Sequence, residues 1–188
     1  MIGILGLQGD YAAHGKMLDA LDVDSRVVKK PKQLAEIDGL IFPGGESTTL
    51  IKLMDSWGWW DPLVDFAAQK PIFGTCAGMI LLAKSVSNPP QQSLGLIDID
   101  VERNSYGRQV DSFEGIGAFG ANGQTREMPM IFIRAPRIAQ LGEGVEALAE
   151  CRGDVVMARQ NNILVASFHP ELTDDLSVHR YFVEMVEV

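Results

Sequence analysis

Cys76 has the sequence environment of a reactive nucleophile. It follows the short apolar run Pro71–Phe73, lies in a Gly-x-Cys-x-Gly turn, and precedes a second apolar run, Met79–Leu82. This order predicts a strand, a sharp turn and a helix, in which small neighbours let the backbone present one side chain at the end of a sheet. The dipole and free amides of the helix would favour the thiolate. A buried cysteine packed as a small apolar residue is the alternative.

Only three histidines are available to take the proton of this thiol, so the choice of a general base is narrow. His14 and His179 lie in predicted helices, where we expect solvent-exposed or capping side chains. His169 instead follows the apolar run Ile163–Phe168, at the carboxyl end of a predicted strand. Because catalytic groups gather at that end of the strands in α/β sheets, His169 is the candidate base.

The two residues after His169 favour a catalytic role for it. Pro170 keeps His169 out of the helical region of backbone conformation, and in extended chain the side chains of residues i and i+2 project to one side. Glu171 is therefore placed to orient the imidazole and stabilise its protonated form, as the third member of a Cys-His-Glu triad. An ordinary strand end explains His-Pro-Glu equally well until Cys76 is considered.

A glycine-rich loop, Pro43–Thr49, follows another predicted strand and would complete such a site. Hydrolysis through a thioester passes through a tetrahedral oxyanion, which uncrowded backbone amides stabilise best. The amide of Ala77, directly after the nucleophile, is one candidate donor, and that of Gly44 or Gly45 is the other. A phosphate-binding loop is the alternative, but the segment lacks the Gly-Lys-Ser/Thr ending of a P-loop and the spacing of a dinucleotide fingerprint.

The composition argues against several classes of protein. A chain of 188 residues is long enough for one domain with a buried core, so we expect residues 1–188 to form a single domain. Two cysteines are too few for a disulfide framework and lack metal-ligand spacing, so we expect no metal site and a reducing compartment. No cofactor is expected. The formal net charge of −9 argues against a nucleic-acid partner. Lacking a membrane-length apolar run and a signal-peptide pattern, the chain is expected to be cytoplasmic, with no membrane contact.

Alternating strand and helix patterns in the first half of the chain predict a doubly wound α/β sheet with right-handed crossovers. Short β-branched runs indicate buried parallel strands, and helical patterns separate them. Ser47 or Thr48 is expected to cap the helix after the glycine loop. The predicted strands are Ile2–Leu7, Asp24–Val28, Gly39–Phe42 and the run before Cys76, and the predicted helices are Tyr11–Leu21, Pro31–Ile37, Thr49–Asp55, Asp61–Gln69 and the segment after Cys76.

The pattern changes after the Cys76 helix. The polar segment Ser85–Gln92, which contains two adjacent prolines, is predicted to be a loop. Closely spaced strand-like runs follow, and the turn signals between them indicate antiparallel hairpins at one side of the sheet. The runs are Leu96–Glu102, Met130–Ile133, Ala147–Cys151, Val155–Ala158 and Ile163–Phe168, and an amphipathic helix, Leu176–Val186, closes the chain.

Several of these motifs together resemble those of class I glutamine amidotransferases, namely Pro43–Ser47, Gly74–Gly78 and Phe168–Glu171. Longer stretches are similar to the glutaminase subunits of pyridoxal 5′-phosphate synthase, namely Leu5–Gly9, Val101–Phe113, Phe132–Pro136 and Ser167–Thr173. The similarity runs from Ile2 to the C-terminal helix. It implies a flavodoxin-like α/β fold, with one doubly wound, mostly parallel sheet flanked by helices and with antiparallel strands in the C-terminal half.

The resemblance implies hydrolysis of L-glutamine to glutamate and ammonia. Cys76 would attack the side-chain carboxamide, His169 would transfer protons and Glu171 would orient His169, after which water would release glutamate from the γ-glutamyl thioester. Guanidinium groups suit the α-carboxylate of this substrate. The residues matched to glutamine contact are Gly45, Glu46, Ser47, Arg103, Ile133 and Arg134, with Gln8 as an additional candidate.

The resemblance also implies a protein partner. Members of the family pass ammonia to a separate (β/α)₈-barrel subunit that makes pyridoxal 5′-phosphate, and they are typically weak glutaminases alone. The docking surface is expected to include the first helix, the Gly44-Gly45 loop and Asn104–Phe113. The alternatives are the glutaminase subunit of imidazole glycerol phosphate synthase, a non-catalytic regulatory module, and a cysteine hydrolase acting on peptides or small aldehydes.

Overall fold

A large mixed β-sheet with helices on both faces forms the framework of the molecule. Its structure, a computed structural model, describes residues 1–103, 112–121 and 123–187. The strands of the large sheet are β1 (Ile2–Leu5), β2 (Ser25–Val28), β3 (Gly39–Phe42), β4 (Ile72–Thr75), β7 (Ser112–Ala121), β8 (Gln124–Ile133), β10 (Glu146–Cys151), β11 (Asp154–Gln160) and β12 (Ile163–Ala166). A smaller sheet contains β5 (Ala83–Ser87), β6 (Ile97–Glu102) and β9 (Arg137–Leu141).

Helices cover both faces of the large sheet. Apolar side chains of two helices, such as Met54 and Leu63, pack on one face, and Leu18 and Phe182 from two others pack on the opposite face. The sheet is therefore doubly wound, as predicted. The helices are α1 (Tyr11–Asp19), α2 (Ser47–Trp57), α3 (Trp60–Ala67), α4 (Ala77–Leu82) and α5 (Ser177–Glu187), with short 3-10 helices at Pro31–Glu36 and Pro170–Leu172.

The strand order places the segments before Cys76 and His169 next to each other. The large sheet runs β2-β1-β3-β4-β12-β11-β10-β7-β8. Strands β2, β1, β3, β4 and β12 are parallel, and β11, β10, β7 and β8 extend the sheet in antiparallel fashion. Thr75 of β4 pairs with Ala166 of β12, so the carboxyl ends of these two strands lie side by side. This topology confirms the predicted fold class and the antiparallel strands of the C-terminal half.

The small sheet is the main departure from the predicted elements. The loop prediction for Ser85–Gln92 is wrong in its first part, because Ser85, Val86 and Ser87 belong to β5 and pair in parallel with β6. Strand β9 was not predicted, since among its residues only Ile138 is buried and the apolar signal is weak. Both strands pack against the cluster that contains the α2 and α3 side chains.

The hairpin of β7 and β8 is not predicted from strand propensity, because β7 is rich in glycine. Strand β7 pairs with β8 from Ser112 to Ala121, although it contains three glycines. A β-carbon at Gly117 would lie 2.6 Å from the Met130 sulfur and 2.7 Å from the Glu150 carbonyl oxygen. Glycine at position 117 allows β7 to lie close to its neighbours β8 and β10. This close packing outweighs the low strand propensity of glycine.

Two further predictions concern the docking surface and the membrane. The predicted docking stretch Asn104–Phe113 lies outside the described residues except for Ser112 and Phe113. In the part of the chain that is described, none of the helices is both long and apolar enough to cross a membrane.

Candidate active site

Cys76 lies at the sharp turn between β4 and α4. Its backbone angles, φ 49° and ψ −104°, fall outside the ordinary strand and helix regions, a conformation that is rare for a residue with a side chain. The flanking glycines make the turn sterically feasible. A β-carbon at Gly78 would lie 2.1 Å from the Phe42 carbonyl oxygen, and one at Gly74 would lie 2.7 Å from the Gly78 backbone. The predicted turn is therefore present, and it presents the Cys76 thiol at the carboxyl end of β4.

His169 and Glu171 reach the thiol from the neighbouring strand. Both residues follow β12, and the Nδ1 atom of His169 lies 2.7 Å from the Oε1 atom of Glu171. The Cys76 side chain also interacts with the ring of His169 and raises its pKa. Since Nδ1 is used by the carboxylate, Nε2 is the nitrogen available to sulfur. The structure thus brings together the cysteine, imidazole and carboxylate that the sequence singled out.

The electrostatics of this group favour a protonated His169. Burial opposes a charge on the imidazole, but the hydrogen bonds to Cys76 and Glu171 outweigh burial and raise the pKa of His169 to about 10. Burial likewise raises the pKa of Glu171, yet the nearby His14 and His169 side chains hold it below the usual value. An imidazolium faces a carboxylate at neutral pH, which is the charge state required of an acid that protonates a leaving group.

Gly44 packs directly against the side chains of Cys76 and His169. A β-carbon at this position would lie 2.6 Å from Cε1 of His169 and 3.2 Å from Cβ of Cys76, so only glycine fits without displacing them. The Gly44 amide donates to the Thr75 hydroxyl oxygen at 3.1 Å. The Ala77 amide belongs to the first turn of α4, where backbone amides have no acceptor within the helix.

The next residues of the glycine loop hold the start of α2. Glu46 is the N-cap, because its carboxylate accepts from the Thr48 and Thr49 amides; the prediction of Ser47 or Thr48 as the cap is wrong. Hydrogen bonds from the Thr48 and Thr49 hydroxyls lower the pKa of Glu46 to about 2. Asp, Asn, Ser and Thr are the usual caps, so a glutamate cap gives no sequence signal.

Hydrogen bonds at Glu46 and Ser47 fix the second half of the glycine loop. The Gln8 side-chain oxygen accepts from the Glu46 amide at 2.9 Å, and it lies against exposed Gly45. The Ser47 hydroxyl is buried and donates to the side-chain oxygen of Gln91 at 2.9 Å. Gln8 and Ser47 therefore already have partners within the chain, and both of these contacts stabilise the loop.

Ile133 lies beside Cys76, and Arg134 is the next residue in the chain. The Ile133 carbonyl oxygen is 4.0 Å from the Cys76 sulfur. Arg134 follows at the end of β8 with φ 43°, a left-handed conformation that turns the chain sharply at the site, and its side chain is exposed. Arg103 lies at the end of β6, where its amide donates to the Ser87 carbonyl. The described contacts do not join Arg103 to the triad.

The structure corrects the expectation for the other two histidines. His14 and His179 are fully buried rather than exposed or capping, and His14 Nδ1 lies 2.9 Å from His179 Nε2. His14 Nε2 is 3.5 Å from Glu171 Oε2 and 3.4 Å from the Thr75 hydroxyl oxygen. The sequence signal for the burial of His14 is its helical spacing, because His14 shares a face of α1 with buried Met17 and Leu18.

Burial controls the charge of these two rings. It lowers the pKa of His14, and burial together with the neighbouring His14 lowers the pKa of His179 to about 3. Both rings are therefore neutral at physiological pH. Within the described ranges, no cluster of His, Cys, Asp and Glu side chains has the arrangement of a metal site.

Comparisons with known proteins agree with this geometry. The SNO glutamine amidotransferase family matches residues 4–188. The pyridoxal 5′-phosphate synthase subunit PdxT of Thermosipho africanus is 54% identical over 99% of this chain and 98% of its own length. The protein of the same name from Geobacillus sp. (strain WCH70) is 52% identical over 99% of this chain and 96% of its own length.

A solved structure adds the corresponding three-dimensional match. The crystal structure of a glutamine amidotransferase superimposes with a TM-score of 0.92 and 43% sequence identity, and covers 100% of this chain and 99% of that chain. The sequence match and the structural match both extend across the strands and turns that carry Cys76, His169 and Glu171. The chain therefore belongs to the SNO glutamine amidotransferase family.

Proposed function

We propose that the chain hydrolyses L-glutamine to L-glutamate and ammonia, with residues 1–188 acting as a single glutaminase domain. The observation that carries this proposal is the Cys76–His169–Glu171 arrangement at the carboxyl ends of β4 and β12. Family membership supports the choice of glutamine as the amide substrate.

The first half of the reaction acylates the enzyme. The Cys76 sulfur attacks the carboxamide carbon of glutamine, and the thiol proton resides on His169 Nε2. The resulting imidazolium donates this proton to the nitrogen as the carbon–nitrogen bond breaks, and ammonia leaves. Glu171 holds His169 in the required orientation and stabilises its positive charge. The product of this half-reaction is a γ-glutamyl thioester on Cys76.

The second half of the reaction regenerates the thiol. Neutral His169 takes a proton from water, and the resulting hydroxide attacks the thioester carbon. Glutamate leaves as the sulfur departs and recovers its proton from His169. We assign stabilisation of both tetrahedral oxyanions to the Ala77 and Gly44 amides. Because the Gly44 amide donates to Thr75, its donation to an oxyanion requires the glycine loop to rearrange.

Substrate recognition is assigned to residues beside the thiol and, by its match to the family motif, to Arg103. Guanidinium groups of Arg103 and Arg134 suit the α-carboxylate of glutamine, since they offer paired donors to a carboxylate. The Ile133 carbonyl lies beside the sulfur and is an acceptor for an amide or ammonium group of the substrate. The glycine loop contributes the remaining contacts, through Gly45, Glu46 and Ser47, with Gln8 supporting it.

The partner is assigned from the relatives. The two relatives compared above are named as subunits of pyridoxal 5′-phosphate synthase. We propose that this chain likewise delivers ammonia to a (β/α)₈-barrel synthase subunit, and that docking of this subunit rearranges the glycine loop. Both cysteines are free thiols, which suits a reducing, cytoplasmic location.

The deciding experiment measures glutamate release from L-glutamine by the purified chain, alone and with its cognate synthase subunit. We expect strong stimulation by that subunit and loss of release in Cys76→Ala, with the variant still forming the complex by size-exclusion chromatography. Glutaminase activity that persists in Cys76→Ala would remove Cys76 from the mechanism. No release by the complex would reject the glutaminase assignment, and full activity of the chain alone would reject activation by docking.

A further inference from the structure

A buried line of polar side chains continues from the triad into the interior of the protein. Glu171 uses Oε1 for His169, while its other oxygen, Oε2, is buried and lacks a hydrogen bond among the described residues. His14 Nε2 lies 3.5 Å from Oε2. His14 in turn lies 2.9 Å from His179 through its other ring nitrogen. The triad carboxylate therefore contacts a second histidine on the side away from His169.

The neighbours of His14 determine which of its nitrogens carries the proton. A carboxylate oxygen only accepts hydrogen bonds, so a protonated Nε2 is favoured opposite Glu171 and a bare lone pair there is repelled. Neutral His14 then has an unprotonated Nδ1, which accepts from the Nε2–H of His179. His179 Nδ1 is left unprotonated, and this agrees with its lack of a partner among the described residues. The two helices α1 and α5 thus supply one polarised line of donors that ends at Glu171.

The same nitrogen of His14 also lies close to the glycine loop. Nε2 is 3.4 Å from the hydroxyl oxygen of Thr75, the residue immediately before the nucleophile. That hydroxyl accepts the Gly44 amide. His14 is consequently in contact with the triad carboxylate and with the residue that holds the glycine loop.

We propose that His14 is a positioning residue that holds the Glu171 carboxylate in the rotamer and charge state that orient His169. The inference rests on the hydrolysis proposed above, because it gives a role within that site to a residue that touches neither substrate nor reacting atoms. Loss of the donor at Nε2 removes the side-chain contact described for buried Oε2, so the carboxylate rotates or takes up a proton. Either response weakens its support of the His169 imidazolium.

The test uses histidine ¹⁵N NMR of the untagged chain, because three histidines give few signals. The groups that face His169 are Cys76 and Glu171, with His14 behind the carboxylate. His14→Phe keeps an aromatic ring but removes both nitrogens, and we expect the titration midpoint of His169 to fall by about one pH unit, a tenfold change in proton affinity. His14→Gln places an amide nitrogen near the position of Nε2 and is expected to retain the midpoint.

Phe73→Leu is the matched packing control. The Phe73 ring packs edge-on against both buried histidines, at centroid distances of 6.4 Å and 6.1 Å, and offers no hydrogen-bonding group. We expect this variant to lower the melting temperature and to leave the His169 midpoint unchanged. If His14→Phe has the same midpoint as the wild type, His14 is a core residue only, and the proposal is wrong.

A second pair of variants covers failure of His14→Phe to fold. Asn places its amide nitrogen near the position of Nδ1, whereas Gln reaches that of Nε2, so His14→Asn is expected to lower the His169 midpoint and His14→Gln to preserve it. Equal midpoints in this pair contradict the proposal. In the complex, His14→Asn should reduce kcat about tenfold with little change in KM. The NMR result does not need glutaminase activity, so it stands even if the proposed reaction is disproved.

Discussion

At the scale of single residues, the two oxygens of Glu171 have different tasks. Oε1 accepts from His169 at 2.7 Å, and Oε2 faces His14 at 3.5 Å. The Glu171 side chain is only 1% exposed, so water does not screen either contact. A carboxylate in such a place is stabilised by its neighbours or not at all. In the proposed mechanism its contribution is therefore one of orientation and charge rather than proton transfer.

This division predicts a graded loss of activity within the triad. We expect Cys76→Ala and His169→Asn to reduce glutamine hydrolysis at least about a thousandfold, because each removes a group that exchanges bonds or protons with the substrate. Glu171→Gln keeps the shape and removes the charge, so its loss is expected to be about a hundredfold smaller. The measurement is kcat for glutamate release by each variant in the complex.

An independent observation separates chemistry from folding in this series. Near-ultraviolet circular dichroism and binding of the synthase subunit should be unchanged in all three variants. A Glu171→Gln variant as inactive as Cys76→Ala would show that the carboxylate has a larger part than orientation. A His169→Asn variant with normal turnover would place the general base elsewhere.

The site residues that could be predicted from the sequence differ in their surroundings from those that could not. Cys76 and His169 were predictable because glycines and a proline impose the local backbone on them. His14 and Thr75 were not, since their roles depend on contacts between segments far apart in the chain. A histidine on a helix face with Met17 and Leu18 indicates burial, but the partner of a buried histidine is not encoded nearby.

At the scale of elements, a glycine inside α1 lowers the stability of the protein. Gly15 lies inside this helix, where glycine is less favourable than alanine by about 0.5–1 kcal/mol. A β-carbon there would meet only Ile4 Cδ1, at an ordinary 3.7 Å. Gly15→Ala is therefore expected to raise the free energy of unfolding by about 0.5–1 kcal/mol, measured by urea denaturation.

Gly78 in α4 is the matched control, because alanine at this position is expected to lower the free energy of unfolding instead of raising it. Its β-carbon would lie 2.1 Å from the Phe42 carbonyl oxygen, a contact that backbone movement alone relieves. Gly78→Ala should lower the urea midpoint or prevent folding. A stabilised Gly78→Ala variant, or a destabilised Gly15→Ala variant, would contradict these steric arguments.

Elements whose apolar pattern is strong and local were predicted well. The strand Gly39–Phe42 was predicted with its observed bounds, and the start of α1 at Tyr11 was also predicted. Strands β5 and β9 were missed because each is one-sided and partly polar, so that pairing with β6 decides their structure. Helix α2 begins earlier than predicted, since Glu46 caps it.

At the scale of the whole molecule, His179 and His169 make the free energy of unfolding depend on pH in opposite directions. Buried His179 has a pKa lowered to about 3, so between that value and its ordinary 6.5 the unfolded chain binds a proton that the folded chain does not. Stability therefore falls as pH decreases through this range. His169 has a pKa raised to about 10, so its contribution is lost as pH increases from 6.5 towards 10.

His179→Phe tests the acid side of this dependence. We expect the slope of unfolding free energy against pH between about 4 and 6 to decrease by up to about 1.4 kcal/mol per pH unit, because one proton uptake on unfolding is removed. The alkaline side should be unaffected, since His169 is unchanged. Calorimetric melting at a series of pH values supplies both slopes, and an unchanged acid slope would show that His179 does not remain neutral in the folded state.

The position of β12 in the large sheet has a consequence for protein synthesis. This strand is the last in chain order among the described strands, yet it lies between β4 and β11 near the middle of the sheet. His169, the proposed base, follows it, so a nascent chain from which only the segment up to Cys76 has emerged has no such base beside the thiol. Under the proposed mechanism the Cys76–His169 pair forms only after β12 leaves the ribosome and inserts next to β4, so synthesis of β12 sets the moment at which the thiol becomes reactive.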